Sequence, residues 1–373
     1  MQNQIPKNWQ KVKLGEVADF QNGYAFSSGD FVKKRSNTLP VFKMGNIKLG
    51  GGIQWTGKED YFPQNKATNL SRFITEPNDL LMCMTDMKGN VKLLGYSAYI
   101  KNEKFLVNQR VGRLKAKKGL ADSRFLYYYL NSPRYIAYIR STAHSGVQVN
   151  LTTEDIKSSP LIIPAYDEQL KLAHILSVFD DKIEVNNKIA KTLEEMAQVL
   201  FKEWFVKNGN ESWKIKNLGQ ILTLKHGYAF KSEQFTANKT KNVVVRMGNF
   251  QEMGGLQFSD NTFYLENPDG YERYILKPGD MVMIFSDITR EGRLIGNVGL
   301  IPNDENTYFL NQRVAKIDYD QIYKYFLLCL FNSKLFHQHC LARADSATVL
   351  NLKNEHILEY QIADPGKDLL DKF

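Results

Sequence analysis

Cysteines and long hydrophobic runs are scarce in this sequence of 373 residues. The three cysteines, Cys83, Cys329 and Cys340, are too few and too irregularly spaced for a disulfide framework, so we expect small, buried apolar side chains. No run of about 18 apolar residues is present, and the N-terminus lacks the basic start and the apolar stretch of a signal peptide. These absences predict a cytoplasmic protein that does not contact a membrane.

The sequence also lacks the short motifs that accompany common kinds of enzyme chemistry. It contains no G-x-x-x-x-G-K-[ST], no G-x-G-x-x-G opening a helix after a strand, no H-E-x-x-H and no G-x-S-x-G. A methyltransferase would need a cofactor loop and an [ND]-P-P-[YF] motif, and neither occurs; residues 267–270, NPDG, are typical of a turn. The sequence therefore offers no motif for a nucleotide cradle, a catalytic metal site or an activated nucleophile.

The histidines offer little for a metal site. His337 and Cys340 are three residues apart and could share a helix face beside His339, but no second group of ligands lies at a helpful spacing. A polar helix end is therefore the favoured interpretation. His144 and His226 are expected in loops, with no evident partner.

The dominant feature that is present is an internal repeat. The segment WQKVKLGEVADFQNGYAFSSGDF, from Trp9, returns 204 positions later as WKIKNLGQILTLKHGYAFKSEQF, from Trp213. Further matches follow at offsets of 201 to 203, among them KMGN with RMGN, NQRV with NQRV, and two aspartates. Two copies of one domain therefore flank a central segment. The matched aspartates are Asp79 with Asp280 and Asp86 with Asp287.

Each copy is predicted to be an α+β domain with a mixed, mostly antiparallel sheet and peripheral helices. Strand-like pieces such as residues 80–84 and 281–285 come first, and helical pieces follow. Ser132 and Pro133 look like an N-cap followed by proline at the first helical position, and the matching helix is expected at residues 333–343. Residues that the copies share should be scaffold, and specificity should lie in loops where the copies differ.

The segment between the copies, residues 167–205, is the longest without glycine or proline. Its apolar residues recur at alternating steps of four and three, the a and d spacing of a coiled coil, with one polar member, Asn186, that would fix register and partner. We predict a continuous helix of about 55 Å; a helix buried in a globular domain is the alternative. The predicted seam contains Leu172, Leu176, Phe179, Ile183, Asn186, Ala190, Leu193, Ala197, Leu200 and Trp204.

The net charge of +9 is concentrated in the first copy. Residues 1–164 contain 24 Lys and Arg against 12 Asp and Glu, a surplus of +12, whereas residues 165–208 carry −2 and residues 209–373 carry −1. A basic domain of this size predicts contact with the phosphate backbone of a nucleic acid. A surplus that serves only solubility is the alternative.

Basic residues in loops are the candidate nucleic-acid contacts. Lys88 lies in a glycine-bearing loop of the first copy, and Arg290 and Arg293 lie in the equivalent loop of the second. Arginine can bind guanine through two hydrogen bonds, whereas lysine serves as a phosphate or base donor. The tyrosines at 127–129, 135 and 138 could stack on bases, but at helical spacing core packing is favoured. The predicted contacts are Lys33, Lys34, Arg35, Lys88, Lys92, Lys231, Arg290 and Arg293.

Taken together, these features resemble the specificity subunit of type I restriction-modification systems. The resemblance covers essentially the whole chain. It rests on the duplicated domain, the L-G-x-[VI]-x-x-x-x-x-G-x-[AT]-F opening at residues 14–26 and 218–230, the IPAYDEQ boundary at 163–169, the helix pattern at 175–187 and the closing LFKEWF at 200–205.

This resemblance implies that two target-recognition domains, residues 1–165 and 209–365, each read one half of a bipartite, asymmetric double-stranded DNA site. The helix at 166–208 would set the spacing between the halves and dock the partner subunits. The resemblance further implies a non-catalytic subunit that positions two DNA-adenine methyltransferase subunits, which use S-adenosylmethionine, and restriction subunits that use ATP and Mg²⁺. A protein-interaction scaffold with incidental DNA contact is the alternative, favoured by the nearly neutral second copy.

In the family, a second helix follows the second domain and packs antiparallel on the first helix. Residues 366–373 would be the start of that region, because Pro365 matches Pro164. We therefore expect the seam to lack a partner within this chain, and we expect either self-association through residues 170–205 or insolubility without the methyltransferase.

Overall fold

The computed structural model describes residues 8–57, 59–87, 91–145, 148–236, 238–252, 254–258, 262–289, 291–346 and 349–373. The chain forms two compact units, one ending at Asn187 and the other beginning at Lys188. None of the helices in these ranges is long and apolar enough to cross a membrane.

The first unit contains twelve labelled strands and the beginning of the longest helix. Its strands are β1 (Gln10–Lys13), β2 (Ala18–Asn22), β3 (Thr38–Phe42), β4 (Tyr61–Pro63), β5 (Leu80–Cys83), β6 (Thr85–Met87), β7 (Ser97–Tyr99), β8 (Leu106–Val107), β9 (Val111–Ala116), β10 (His144–Ser145), β11 (Gln148–Asn150) and β12 (Pro160–Ile163). Its helices are α1 (Leu14–Val17), α2 (Ser123–Leu130), α3 (Pro133–Ser141), α4 (Thr153–Lys157) and the first part of α5 (Tyr166–Phe201).

The second unit begins within α5, which continues into a π-helical turn, Lys202–Lys207. Its strands are β13 (Lys214–Asn217), β14 (Leu222–His226), β15 (Phe235–Thr236), β16 (Asn242–Val245), β17 (Phe263–Leu265), β18 (Ile275–Leu276), β19 (Met281–Ile284), β20 (Ser286–Asp287), β21 (Val298–Leu300), β22 (Thr307–Leu310), β23 (Val314–Tyr319), β24 (Asp345–Ser346), β25 (Leu350–Asn351) and β26 (Gln361–Asp364). Its remaining helices are α6 (Lys324–Phe331), α7 (Lys334–Arg343), α8 (Asn354–Leu358) and α9 (Lys367–Lys372).

Four matching sheets occur in both units, which confirms the repeat, although one of them gains two edge strands in the second unit and has the order β15-β17-β16-β22-β18. The pairs are β1-β12 with β13-β26, β2-β9-β5-β7 with β14-β23-β19-β21, β10-β11-β6 with β24-β25-β20, and β4-β3-β8 with β17-β16-β22. The last sheet holds the parallel pairs, β3 with β8 and β16 with β22, and the named strands otherwise pair antiparallel. The predicted strand directions are therefore confirmed, but short strands divide each domain among several small sheets instead of one.

Strands β5 and β19, inner strands of the two four-stranded sheets, are buried on both faces. In β5, Leu80 and Met82 join the cluster that includes the α2 and α3 side chains, while Leu81 and Cys83 join the cluster around Phe42 of β3. Alternation along a strand sends successive side chains to opposite faces, so a strand covered on both sides is apolar throughout. β19 repeats this arrangement in the second unit.

The repeated Gly-Tyr pair marks a close approach between two backbones. The Tyr24 N–H donates to the Val107 carbonyl at 2.8 Å, and the Tyr228 N–H donates to the Leu310 carbonyl at 2.9 Å. A Cβ placed on Gly23 would lie 2.1 Å from the Asn108 carbonyl oxygen, and one on Gly227 would lie 2.1 Å from that of Leu310. Only glycine fits at either position.

Helix α5 confirms the continuous helix predicted between the repeats. Its first turns bury Gln169 and Ala173 in the first unit, and its last residue, Phe201, lies in the core of the second unit with Phe205. Between these ends, the side chains along the predicted seam are exposed, so the interpretation as a buried globular helix is wrong. Helix α9 places Leu370 in the second core.

Candidate nucleic-acid interface

A buried aspartate anchors the loop that follows β6 in the first unit. The Asp86 carboxylate, 6% exposed, accepts hydrogen bonds from the N–H groups of Met87 at 2.8 Å, Leu93 at 2.6 Å and Leu94 at 3.3 Å. These contacts satisfy backbone donors that the loop would otherwise leave unpaired. We name residues 87–93 the first specificity loop.

Its counterpart in the second unit, residues 288–294, is the second specificity loop and is anchored in the same way. The Asp287 carboxylate, 1% exposed, accepts from the N–H groups of Thr289 at 2.8 Å and Leu294 at 2.7 Å. The two matched aspartates thus bind backbone groups near both ends of their loops. The residues that differ between the copies lie between those ends.

The predicted contacts in these loops have different surroundings. Lys88 and Arg290 lie outside the described residues. Lys92 is exposed, and its carbonyl accepts a hydrogen bond from Nη2 of Arg140 at 2.7 Å. Arg293 forms an ion pair with Glu252 at 2.6 Å, so it would have to exchange a carboxylate for any nucleic-acid ligand.

The basic triplet Lys33, Lys34 and Arg35 is exposed in a separate loop of the first unit, ahead of β3. The Lys34 ammonium lies 5.8 Å from the centre of the Tyr61 ring, beside an open cleft of about 650 Å³. Lys231 is exposed in the second unit, where its N–H donates to Gln234 Oε1 at 2.7 Å. Each described candidate therefore lies at the surface, but on distinct loops.

One pair of matched positions escaped the sequence analysis. Lys43 and Arg246 served there only as markers of the repeat, yet each cation lies over a phenylalanine ring, at 4.3 Å from Phe31 and 3.8 Å from Phe263. Lys43 also forms an ion pair with Asp60, and the position 203 residues after Asp60 is Phe263. The exchange of Asp for Phe at matched positions was the signal that could have found this difference.

Three residues of the tyrosine-rich stretch, Tyr127, Tyr129 and Tyr135, belong to the first core or pack against it, which confirms the favoured interpretation for them, whereas Tyr138 is 39% exposed. Tyr135 is 3% exposed with its hydroxyl 3.0 Å from Ser159 Oγ, and burial raises its pKa. Tyr127 and Tyr129 are partly buried against the same core, and burial raises the pKa of Tyr127 to about 12. Tyr128 donates to Asp180 Oδ2 at 2.7 Å.

Two histidines are placed differently from the prediction. His144 begins β10 with Nε2 3.4 Å from Asp155 Oδ2, and His226 ends β14 with Nε2 2.6 Å from Asn354 Oδ1. The expectation that both lie in loops without partners is wrong, because short strands that no local pattern announces end or begin at these residues.

The histidines of α7 bond to backbone carbonyls. Nδ1 of His337 lies 3.1 Å from the Ile295 oxygen, and Nε2 of His339 lies 2.7 Å from the His356 oxygen. Burial lowers the pKa of His339, which favours its neutral form. Cys340 is buried, as are Cys83 and Cys329, which confirms that expectation. Within the described ranges, no group of three or more His, Cys, Asp or Glu side chains could hold a metal ion.

Helix α5 exposes two apolar stripes. Along the predicted seam, Phe179 is 62% exposed, Ile183 59% and Leu193 58%; Leu176, Asn186 and Leu200 are also exposed, whereas Leu172 and Trp204 pack partly against the cores. At 3.6 residues per turn, a second stripe lies about 110° around the helix from the first. It contains Ile175, Val178, Val185, Ile189, Met196 and Val199, which are 50–61% exposed. One packed helix covers one such stripe, so this surface has room for more than one partner helix.

Comparison with known proteins identifies the family of this chain. The family described as the type I restriction modification DNA specificity domain matches residues 6–195 and again residues 210–367. The MjaIX specificity subunit of Methanocaldococcus jannaschii is 24% identical, over 99% of this chain and 86% of that protein. A putative type I specificity subunit of Mycoplasma pneumoniae is 30% identical over 56% of this chain and 57% of that one.

A solved structure shares the fold. The S subunit of a type I restriction-modification system from M. genitalium superposes with a TM-score of 0.55 at 18% identity, covering 100% of this chain and 88% of that one. The two family matches coincide with the two copies of the repeat. The chain therefore belongs to the type I restriction-modification DNA specificity family, as a specificity subunit with two target-recognition domains.

Proposed function

We propose that each target-recognition domain reads one half of a bipartite, asymmetric site in double-stranded DNA, with α5 as the spacer between the halves. The observation that carries this proposal is the contrast within the repeat. Asp86 and Asp287 anchor matched loops by matched hydrogen bonds, while the loop sequences differ. A common scaffold with different loops suits the recognition of two different short sequences.

The residues assigned to DNA contact are the described candidates Lys33, Lys34, Arg35, Lys92, Lys231 and Arg293, together with Lys88 and Arg290 of the specificity loops. The surplus of +12 in residues 1–164 supports a larger share of phosphate attraction by the first domain. Arg293 exchanges Glu252 for a base edge or a phosphate when DNA binds, since an exposed ion pair is worth little.

The two apolar stripes of α5 dock helical partners, and this accounts for an exposed apolar surface of such length. The partners we assign are two DNA-adenine methyltransferase subunits, together with the restriction subunits of the complex. Catalysis then belongs to these subunits, with S-adenosylmethionine, ATP and Mg²⁺ bound there.

The test is to map methylated adenines in a genome whose cells carry this chain with its partner subunits. We expect one motif made of two different half-sites with a fixed gap. Insertion of one heptad into α5 after Ala190 should lengthen the gap and leave both half-sites unchanged, because the loops are untouched. A contiguous motif, or an insertion that alters the bases in a half-site, contradicts the proposal.

The protein-interaction scaffold is separated from this proposal by fluorescence anisotropy of the chain with duplex DNA at two salt concentrations. A DNA-reading subunit binds tightly at low salt and loses affinity steeply as salt rises. Absence of binding at low salt would favour the scaffold, which the near-neutral second domain makes the second candidate.

A further inference from the structure

The two domains differ in what surrounds one partly buried cation at matched positions, Lys43 and Arg246. In the first domain, Lys43 lies over the Phe31 ring and is neutralised by Asp60. In the second domain, Arg246 takes the place of Lys43, and the Asp60 position is occupied by Phe263. The carboxylate of one copy is thus an aromatic ring in the other.

Arg246 is held by rings and lacks a counter-ion among the residues that the structure describes. Its guanidinium carbon lies 3.8 Å from the centre of the Phe263 ring and 5.0 Å from that of Phe235. Its buried Nη1 has no hydrogen-bond partner among those residues. Stacking on a ring face occupies the plane of a guanidinium but leaves its N–H donors free for a planar ligand or an anion.

The groups around Arg246 form a cleft of about 360 Å³. Its lining includes a second cation, Arg313, and no carboxylate in the described part of the chain. Burial and the charge of Arg313 lower the pKa of Arg246, since two like charges that line one cleft repel each other. An anion placed between them would relieve this repulsion. The side chains that line the cleft include Arg246, Gln312, Arg313, Phe235, Phe263 and Ile288.

We propose that this cleft binds a phosphodiester group of the DNA backbone through Arg246 and Arg313, at a place where Asp60 neutralises the matched cation of the first domain. The proposal rests on the proposed function, since it takes DNA as the ligand. Two neighbouring cations favour a charged phosphate over the neutral edge of a base, and arginine presents donors that match phosphate oxygens. The second domain, although nearly neutral overall, then has a local anion site of its own.

Binding of the full chain to duplex DNA as a function of salt tests the assignment. The variants are Arg246→Gln, Phe263→Asp, which introduces the carboxylate of the first domain, and Phe263→Leu, the matched control that introduces no charge. We expect Arg246→Gln and Phe263→Asp each to reduce the slope of log affinity against log salt by about 1, equally for every duplex sequence. Phe263→Leu removes one of the two rings that hold Arg246 but adds no charge, so it should reduce the slope by less than Phe263→Asp does. Thermal unfolding of each variant shows whether the fold is intact.

Unchanged slopes in both Arg246→Gln and Phe263→Asp overturn the proposal. A loss confined to one duplex sequence, with the slope unchanged, means that Arg246 reads a base and also overturns it. If the wild-type chain binds no DNA, the proposed function fails. The anion site in the cleft is then tested separately, with inorganic phosphate as the ligand. Phosphate, compared with chloride at equal ionic strength, should then raise the unfolding temperature of the wild type more than that of Phe263→Asp; equal shifts reject the anion site.

Discussion

The two target-recognition domains share their apolar and backbone contacts but differ in their charged ones. Asp79 and Arg113 of the first domain form a buried pair, with side chains 0% and 10% exposed and Nε 2.6 Å from Oδ2. At the matched positions, Asp280 and Lys316 are 17% and 22% exposed and 3.1 Å apart. Gly23 and Gly227, in contrast, both lie against the backbone of the same matched segment, where a Cβ would come within 2.1 Å of a carbonyl oxygen.

This difference teaches that the repeat preserves what the fold requires and leaves the charges free to change. A glycine at a close backbone approach has no substitute, whereas an ion pair near the surface contributes little and tolerates exchange. The same freedom distinguishes the Lys43–Asp60 pair from Arg246 over Phe263. Divergence of charged contacts on a common scaffold is what two domains with different DNA half-sites would need.

The largest expected difference between the domains concerns the matched ion pairs. Arg113→Leu leaves the Asp79 carboxylate buried without its cation and should cost about 3–5 kcal/mol of unfolding free energy. Lys316→Leu should cost about 1 kcal/mol or less, because Asp280 is partly solvated. Urea unfolding of the full chain, followed by probes in each domain, measures both values; equal losses would break the comparison.

The pH dependence of the Arg113→Leu defect provides a check on its cause. Burial raises the pKa of Asp79 above its ordinary value even beside Arg113, so the folded state binds this proton more tightly than the unfolded chain does. The penalty should therefore shrink as the pH falls through the raised pKa, because protonation removes the unpaired charge. An additional Asp79→Leu substitution should recover most of the loss at neutral pH.

Replacement of the loop-anchoring aspartates, Asp86 and Asp287, should destabilise the two domains equally, unlike replacement of the cations in the matched ion pairs. Asp86→Ala and Asp287→Ala each leave backbone N–H groups without an acceptor and should each cost about 1–3 kcal/mol in their own domain. In the methylation map, Asp86→Ala should degrade only the half-site of the first domain, and Asp287→Ala only the other. Degradation of both half-sites by one variant would contradict the division of recognition between the domains.

The smallest expected effect on folding, but a measurable one on binding, concerns the exposed basic residues. Replacing Lys33, Lys34 and Arg35 together with glutamine should reduce the salt slope of DNA binding by about 2–3, whereas Lys231→Gln should reduce it by about 1 at most. All four side chains are exposed, so stability should change little. Similar slopes for the two variants would show that phosphate attraction is not concentrated in the first domain.

Local patterns sufficed wherever neighbours in the sequence are also neighbours in space. Ser132 accepts from the Tyr135 N–H at 3.3 Å with Pro133 at the first helical position, and α7 begins after Ser333, both as predicted. The heptad spacing predicted α5, and the repeat predicted two copies of one domain. These features depend on spacing and composition, which are readable without knowing which segments pair.

Contacts between segments far apart in the sequence could not be predicted, because no local pattern specifies which segments pack together. His226 contacts Asn354 because helix α8 packs against strand β14, and Lys43 meets Asp60 because β3 pairs with β4 in register. The order of residues was enough to establish the duplicated domain, the connecting helix and the surplus of positive charge in the first copy. Which cations are neutralised, and which, like Arg246, remain without a described counter-ion, depends on the side chains that folding brings within a few ångströms, since electrostatic interactions weaken with distance and solvation.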